Sequence, residues 1–454
     1  MIKKTTLVAL LCAIALGAAV YYFDWRKGSA EKPAADTTKP AFSVQASDIT
    51  SFTIAHPAQT AAPSVRFYRQ NGMWRIVQPI DTDADQSVAD GIADQIAGAR
   101  IDHTEPGSAD RLKVYGLSPP QASIEFQVRS GAKHNLLIGD KDFTGDSVYT
   151  IVDGGQSVSL LPESLSTSTA KSLDDLRDRA VLHIETQSVA SFHLKNSSGE
   201  LDATKEKDEW KFTKPGGALA GTDAVDTLLG ALSTAKMVSV ASEKPDNLAK
   251  YDLASPPITF TAKDDKGVKS TLTVGKKVGE GYYARDTSRP TIFKVNEDIY
   301  KKLSERFSDL RDKRVLRTEA DAIQQLQIHG ANGTIVMSRK KDDPYAWTFD
   351  APDAEKGKSA AAWKILDSIS GLRAEEVIDA PGAGLLAQLA KPDVSAVLTD
   401  NNGKALTFRV SKPSGNFVYA QASDSSALYK LKKQILDDLN LKPADLALGA
   451  SSSN

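Results

Sequence analysis

The strongest constraint on the fold of this chain is an internal repeat. A Trp-x4-Pro signature occurs three times, at Trp74–Pro79, Trp210–Pro215 and Trp347–Pro352, so its copies begin 136 and 137 residues apart. A long, fixed period marks one structural unit that is used several times. The length of 454 residues also suits about three domains of ordinary size. The sequence therefore predicts three tandem modules.

Each copy has the same order of predicted elements. An alternating strand precedes the Trp, an amphipathic helix follows the Pro, and a series of alternating strands comes next. The expected helix N-caps are Asp85, Thr222 and Ser359. The expected buried helix positions are Val88, Ile92 and Ile96, then Val225, Leu229 and Leu232, then Leu366, Ile369 and Leu372. The order ββ-α-ββββ-α predicts an α+β fold of mostly antiparallel sheets with helices on one face.

Further motifs recur after the helix of each copy. The loop Tyr115-Gly-Leu-Ser-Pro-Pro120 matches Tyr251-Asp-Leu-Ala-Ser-Pro-Pro257, whereas the third copy keeps only Leu389-Ala-Lys-Pro392. The later pairs Ile138-Gly139 and Val274-Gly275 correspond to Val410-Ser411. These motifs place the same local structure in the first two modules and an eroded version in the third.

Two copies close almost identically, with Asp175-Leu-Arg-Asp-Arg-Ala-Val-Leu182 and Asp309-Leu-Arg-Asp-Lys-Arg-Val-Leu316. The third has Asp438-Leu-Asn440 at the corresponding point. These runs look like seams between modules. The favoured interpretation is a solvated helix end with local charge pairs, and the alternative is that Arg177 and Arg311 pair with aspartates across a junction.

The N-terminus carries an apolar segment. Lys3 and Lys4 precede an uncharged run, Thr5–Phe23, which is about 28 Å long as a helix and close to the thickness of a bilayer core. This pattern predicts a single-pass anchor with its N-terminus in the cytoplasm. A signal peptide cleaved near Gly17–Ala19 and a lipoprotein modified at Cys12 are the alternatives.

The predicted organisation follows from these features. It comprises an anchor (1–27), a linker (28–42), three modules (43–182, 183–316 and 317–446) and a disordered tail (447–454). We expect the bulk of the chain on the periplasmic side of the cytoplasmic membrane, joined to it by the N-terminal helix.

Composition and motifs exclude several kinds of chemistry. The lone cysteine, Cys12, lies in the apolar run, so the rest of the chain has no disulfide, thiolate metal site or cysteine nucleophile. A net charge of -2 argues against a nucleic-acid partner. The histidines lack metal-ligand spacing, and neither a nucleophile elbow nor a phosphate-binding loop occurs. We therefore assign no catalytic, cofactor-binding or metal-binding residue, and we expect no cofactor and no enzymatic activity.

Two features have a functional as well as a structural interpretation. The repeated tryptophans, Trp74, Trp210 and Trp347, suit core packing, although an exposed Trp would be a platform for stacking a ligand. The acidic loop Gly139–Asp146 suits a solvated hairpin, and calcium is the alternative occupant. Its spacing differs from that of an EF-hand.

Taken together, the anchor, the Trp and Tyr-Gly-Leu motifs, the Ile-Gly pair and the Leu-Arg-Asp run resemble a bacterial family called domain of unknown function 4340. The resemblance covers about residues 43–446. It implies a membrane-anchored companion of ABC-transporter subunits related to gliding-motility transporters, and it carries over no catalytic residue. The expected function is thus a non-enzymatic accessory or scaffold protein, with an envelope glycan- or lipid-binding module as the alternative. The oligomeric state is left open.

Overall fold

The computed structural model describes residues 38–59 and 62–448. In this part of the chain, each repeat forms its own nine-stranded sheet, and neighbouring strands in the sheets are antiparallel. The predicted tandem modules with mostly antiparallel sheets are therefore confirmed. The chain divides into two compact units, one ending at Arg179 and one beginning at Ala180, and the second unit holds the second and third sheets.

The first module is built from residues 39–176. Its strands are β1 (Lys39–Pro40), β2 (Ile49–Ala55), β3 (Val65–Gln70), β4 (Met73–Gln78), β5 (Thr82–Asp83), β6 (Arg100–Ile101), β7 (His103–Pro106), β8 (Ala122–Val128), β9 (Lys133–Lys141), β10 (Ser147–Val152) and β11 (Ser157–Pro162). Its helices are α1 (Gln86–Gly98), α2 (Ala109–Val114), α3 (Ser164–Thr169) and α4 (Leu173–Leu176).

The second module repeats this order. Its strands are β12 (Val189–Asn196), β13 (Gly199–Glu206), β14 (Glu209–Lys214), β15 (Gly216–Leu219), β16 (Ser239–Ser242), β17 (Ile258–Asp264), β18 (Lys269–Val278), β19 (Gly281–Asp286) and β20 (Ile292–Asn296). Its helices are α5 (Thr222–Thr234), α6 (Glu297–Leu303) and α7 (Phe307–Leu310).

The third module does so again. Its strands are β21 (Ile323–Gly330), β22 (Gly333–Lys340), β23 (Asp343–Ala351), β24 (Ser359–Ala360), β25 (Glu376–Ile378), β26 (Val394–Asp400), β27 (Ala405–Val410), β28 (Phe417–Ala422) and β29 (Leu428–Lys432). Its helices are α8 (Trp363–Ser370), α9 (Ala383–Leu389), α10 (Gln434–Leu439) and α11 (Pro443–Leu446). Short 3-10 helices are Ala46–Asp48, Thr186–Ser188, Leu248–Tyr251 and Ala320–Ala322.

The strand order shows where the predicted ββ-α-ββββ-α pattern was incomplete. The first sheet runs β5-β4-β3-β2-β8-β9-β10-β11-β7, and the other two sheets repeat that order. We call α1, α5 and α8 the main helices, and a short strand (β5, β15 or β24) precedes each of them. Another short strand (β7, β16 or β25) follows the main helix and pairs with β11, β20 or β29, the strand of the sheet that comes last along the chain. These short strands were missed because two to four residues are too few to show an alternating pattern. The prediction also missed one long strand in each module, β3, β13 or β22, which lies between the two strands expected before the helix.

The repeated tryptophans belong to the cores. Trp74 and Trp210 are each 1% exposed and Trp347 is 5% exposed, which confirms the packing interpretation and rules out the stacking platform. Trp74 packs edge-on against Phe52, with ring centroids 5.0 Å apart. Each Trp lies opposite a basic residue on the neighbouring strand: Arg69, Lys205 and Arg339.

The signature prolines end the Trp strands, as predicted. β4, β14 and β23 each stop at the residue before the Pro, since a Pro has no N–H to donate to the ladder. All three of these X-Pro bonds are cis.

Only one of the predicted helix N-caps is right. Asp85 caps α1, and its carboxylate accepts a hydrogen bond from the Val88 N–H at 3.2 Å. In the second module the N-cap is Gly221, and Thr222 is already helical. In the third module Ser359 is taken into the strand β24, so α8 starts later, at Trp363. Of the predicted buried helix positions, Val88 and Leu372 are only partly buried, and the others are fully buried.

A lead-in segment begins every module, and we define it as residues 39–42, 180–182 and 314–316. Each segment donates one backbone hydrogen bond to the stretch after the main helix: Ala41 to Ala99, Val181 to Ala235, and Val315 to Leu372. Phe42, Leu182 and Leu316 are then buried in the core of the module that follows. The predicted domain boundaries remain predictions.

A closing turn ends every module. The carbonyls of Leu176, Leu310 and Leu446 accept hydrogen bonds from the backbone just before the main helix, at Asp85, Gly221 and Ala361. The third copy of the closing motif is therefore at Asp445–Ala447, and its predicted position at Asp438-Leu-Asn440 was wrong. The error arose because Arg and Asp are replaced there by Ala447 and Leu448.

The predicted anchor (1–27), most of the linker and residues 449–454 lie outside the described residues. Among the residues that the structure does describe, no helix combines the length and the apolar character needed to cross a bilayer.

Candidate functional site

The Tyr-Gly-Leu loop of the first module builds a second, smaller apolar cluster. Leu117 is buried there with Ile151 and Val158, and Tyr115 and Tyr149 pack against them. Successive strand residues point to opposite faces of a sheet. Leu136 belongs to the main core and Leu137 to the smaller cluster, so the loop lies over the sheet face opposite that core.

A glycine allows the loop to approach the sheet. A Cβ on Gly139 would lie 2.1 Å from the Tyr115 carbonyl oxygen. That carbonyl also accepts a hydrogen bond of 2.9 Å from the Asp140 N–H. The second module repeats the contact, since a Cβ on Gly275 would lie 2.0 Å from the Tyr251 carbonyl oxygen. The Tyr motif and the later glycine are therefore in direct contact with each other in both modules.

The third module lacks this contact, and its sequence shows why. Ser411 replaces the glycine and is fully buried, and the Tyr motif is absent. The Ser411 hydroxyl donates a hydrogen bond to the Lys412 carbonyl at 2.9 Å and accepts one from the Tyr419 N–H at 3.0 Å. A side chain is tolerated at this position where no tyrosine loop has to be accommodated.

The loop borders a surface depression of about 520 Å³, which we call the aromatic recess. It is surrounded by Glu105, Asp110, Val114, Asp142, Phe143 and Tyr149, among others. Tyr115 and Tyr149 stack there with ring centroids 4.1 Å apart. Phe143 is 96% exposed and Val114 is 75% exposed, so two large apolar side chains stand in solvent at its rim.

The hairpin that carries Phe143 is ordered by Asp142. The Asp142 Oδ1 accepts hydrogen bonds from the Thr144 hydroxyl, the Gly145 N–H and the Ser147 N–H, at 2.9, 2.9 and 3.2 Å. These bonds, with that from Thr144 the largest, hold the pKa of Asp142 below its ordinary value. The carboxylate thus serves its own turn, as the hairpin interpretation predicts. In the described part of the chain, no group of three or more acidic, His or Cys side chains is placed to hold a metal.

The wall of the recess carries charged side chains, and more of them are acidic than basic. Glu105 lies 3.0 Å from His103 and 3.4 Å from Arg111. Burial, together with the nearby Tyr115, Asp142 and Glu105, raises the pKa of Tyr149. The lining contains three carboxylates (Glu105, Asp110 and Asp142) and one guanidinium (Arg111).

Sequence reasoning missed this recess. It combines residues from β7, α2, the β9–β10 hairpin and β11, which only the tertiary fold brings together. One local signal was present: Phe143 is the only large apolar residue in the turn Gly139–Asp146. A turn has no core in which to bury such a side chain.

The family model described as Domain of unknown function (DUF4340) matches residues 74–214 and 210–392. The chain belongs to this family. Both matched segments begin at a Trp of the repeated signature, Trp74 or Trp210, so they agree with the internal repeat. No curated protein matches the chain.

In this DUF4340 chain, the junction between the second and third modules is held by ion pairs. Arg311, at the end of the second module, pairs with Asp379 of the third, so for Arg311 the alternative of pairing across a seam is right and the favoured local interpretation is wrong. Burial lowers the pKa of the Arg311 guanidinium. A second pair joins Arg373 to Asp223 at 2.5 Å. Arg177 instead lies 3.2 Å from Asp174 in its own turn, which fits the local interpretation.

A polar cleft of about 410 Å³ opens at this junction, lined by Lys211, Arg311, Arg317, Asp379, Asp424 and Tyr429 among others. Arg317 donates to Asp312 at 3.2 Å, and Arg314 donates to the same carboxylate at 2.9 Å. Most charged side chains of the cleft are therefore paired with one another, as expected for a structural contact between two modules.

The histidines make local hydrogen bonds. His134 lies 2.9 Å from Asp153, His193 lies 2.7 Å from Asp202, and His56 lies 2.9 Å from the Thr169 carbonyl. Each bond ties one element to a neighbour within the same module. None of these three pairs includes a serine or cysteine side chain.

We expect Asp379→Ala to lower the free energy of unfolding of the second unit by about 1–2 kcal/mol, because it leaves the 12%-exposed Arg311 without this carboxylate. Asp424→Ala removes an exposed carboxylate from the same cleft and should change little. Denaturant unfolding of Asp379→Ala, Arg311→Ala and the double variant should give a coupling of about 1 kcal/mol. Additive effects would contradict the pairing.

Proposed function

We propose that this DUF4340 protein is a non-enzymatic accessory or scaffold protein that works beside an ABC-type transport complex outside the cytoplasmic membrane. Its N-terminal helix would anchor it in a single pass, and the main helix of each module would cover one face of its sheet. The proposal rests on one observation: the residues that recur in the modules have structural roles. The tryptophans, the Gly–Tyr contacts and the closing Leu residues all serve packing or the chain path.

The short tether supports a location close to the bilayer. The predicted anchor ends at residue 27 and the first described residue is Thr38, so residues 28–37 separate them. Ten residues reach at most about 35 Å when fully extended. The start of the first module would then lie within this distance of the membrane, where a partner in the membrane could contact it.

Deleting the protein should impair assembly and transport of the neighbouring ABC-type complex. The measurement is the amount of assembled complex in solubilised membranes, together with transport in the intact cell. In-cell crosslinking of the tagged full-length protein, followed by mass spectrometry, should recover transporter subunits. Unchanged assembly and transport in the deletion strain would reject the proposal.

The aromatic recess favours a second candidate, an envelope glycan- or lipid-binding module. Stacked tyrosines beside polar side chains are suited to a sugar ring, and exposed apolar side chains are suited to acyl chains. Recovery of cell-wall or outer-envelope components without transporter subunits in the same crosslinking experiment would favour this candidate.

A further inference from the structure

We infer that the aromatic recess of the first module is a docking surface for a membrane-protein segment in which an apolar side chain is flanked by Lys or Arg. This inference rests on the proposed function and names the chemistry of the partner. Phe143 and Val114 are the two most exposed large apolar side chains of the first module among the described residues. They stand beside the same depression, and aromatic anchors of this kind are typical of the centre of a protein interface.

The backbone that presents Phe143 is already fixed. Asp142, which precedes Phe143, accepts hydrogen bonds from Thr144, Gly145 and Ser147, which follow it. The backbone of an ordered turn loses little conformational freedom when a partner covers it, so only the side chain has to be fixed. The rim is therefore prepared for contact before any partner arrives.

The charges select a cationic partner. The three carboxylates of the lining outnumber its single guanidinium, and Arg111 is already engaged by Glu105. Asp142 stands on the rim with its carboxylate fixed by the turn, and Asp110 is exposed in the first turn of α2. An acidic rim attracts Lys and Arg and repels an anionic lipid surface.

The recess also adjoins the point where the chain leaves for its predicted anchor. Lys39 of the lead-in segment pairs with Ile101, and the next strand begins with His103, which lines the recess. The Asp102 N–H donates to the carbonyl of Leu160, another lining residue, at 3.1 Å. With a tether of at most about 35 Å from the predicted anchor, a segment of a membrane protein lies within reach of this surface.

The second module shows that the fold does not need these exposed groups. The hairpin that corresponds to the Phe143 turn has Lys276 and Lys277 followed by the short turn Gly279-Glu280. Neither an aromatic tip nor an excess of acid is present there. The recess is a property of the first module, while the Gly–Tyr contact beneath it is shared by both.

The test uses the full-length protein in nanodiscs of phosphatidylcholine. The probe is a fluorescent peptide, Lys-Lys-Leu-Trp-Lys-Lys, and binding is followed by anisotropy. Saturable binding is expected, weakened at least about tenfold by Phe143→Ala and several-fold by Asp110→Asn. Added salt should weaken it further, and a peptide with Glu in place of each Lys should not bind. Tyr345→Ala is the matched control, because Tyr345 is 90% exposed on a hairpin of the third module.

Several results would overturn the inference. One is that the Phe143→Ala protein binds the peptide as well as the unmodified protein does. Another is that Tyr345→Ala weakens binding as much as Phe143→Ala does. A third is that the Glu peptide binds as well as the Lys peptide. Binding to phosphatidylglycerol nanodiscs through Phe143, or displacement of the peptide by an N-acetylglucosamine trimer, would assign the recess to lipid or glycan instead. If deletion of the protein impairs the transport complex but Phe143→Ala does not, the docking site is wrong and the proposed function stands.

Discussion

Replacing Trp210 by Ala is expected to lower the free energy of unfolding of the second module by about 3–5 kcal/mol. The side chain is 1% exposed and packs near Phe192, with ring centroids 5.5 Å apart. Truncation removes a large buried aromatic surface and leaves a cavity that β13 and β14 cannot close without breaking their register. The loss should be the largest of any single change proposed for this protein.

The chain supplies a matched control for this experiment. Trp363 is 54% exposed on α8, so Trp363→Ala removes the same atoms with little loss of packing. Because a three-module chain need not unfold in one step, hydrogen exchange of the amides in β12–β14 is the right measurement. Faster exchange is expected for Trp210→Ala only. Similar exchange in the two variants would mean that Trp210 does not hold this core together.

The sequence was most informative where a pattern was both long and repeated. The Trp-x4-Pro signature identified core positions and strand ends in all three modules, because a buried Trp and a strand-ending Pro do the same work in each copy. The closing runs were also identified as seams, although the favoured interpretation of Arg311 was a local charge pair and it pairs across the junction. These are features whose physical cause lies within a few residues or recurs at a fixed period.

The failures have a different cause. Ser359 looked like an N-cap but pairs within β24, and the closing turn at Asp445–Ala447 was hidden by substitution of its Arg and Asp. Both were decided by long-range backbone pairing, which overrides local preference. The aromatic recess depends on four segments brought together by the sheet, so only Phe143 gave any local sign of it.

The second large effect is expected from Gly275→Ala, which should destabilise the second module by about 2–4 kcal/mol. The added Cβ would lie 2.0 Å from the Tyr251 carbonyl oxygen and 3.2 Å from the Leu253 side chain. The strand cannot move away, because its neighbour Val274 is paired with Ile258 on one side and Ala284 on the other. The Tyr loop must therefore lift from the sheet.

Gly230→Ala is the control for this change. Gly230 lies within α5 and a Cβ there would meet nothing within 4 Å, so the variant should be unchanged or stabilised by about 0.5–1 kcal/mol. Denaturant unfolding gives the stabilities, and hydrogen exchange at residues 248–253 reports whether the loop has lifted. Ser411 already shows that the corresponding position accepts a side chain once the tyrosine loop is gone. A Gly275→Ala protein as stable as Gly230→Ala, with the loop still protected, would mean that the glycine and the tyrosine motif are not one structural unit.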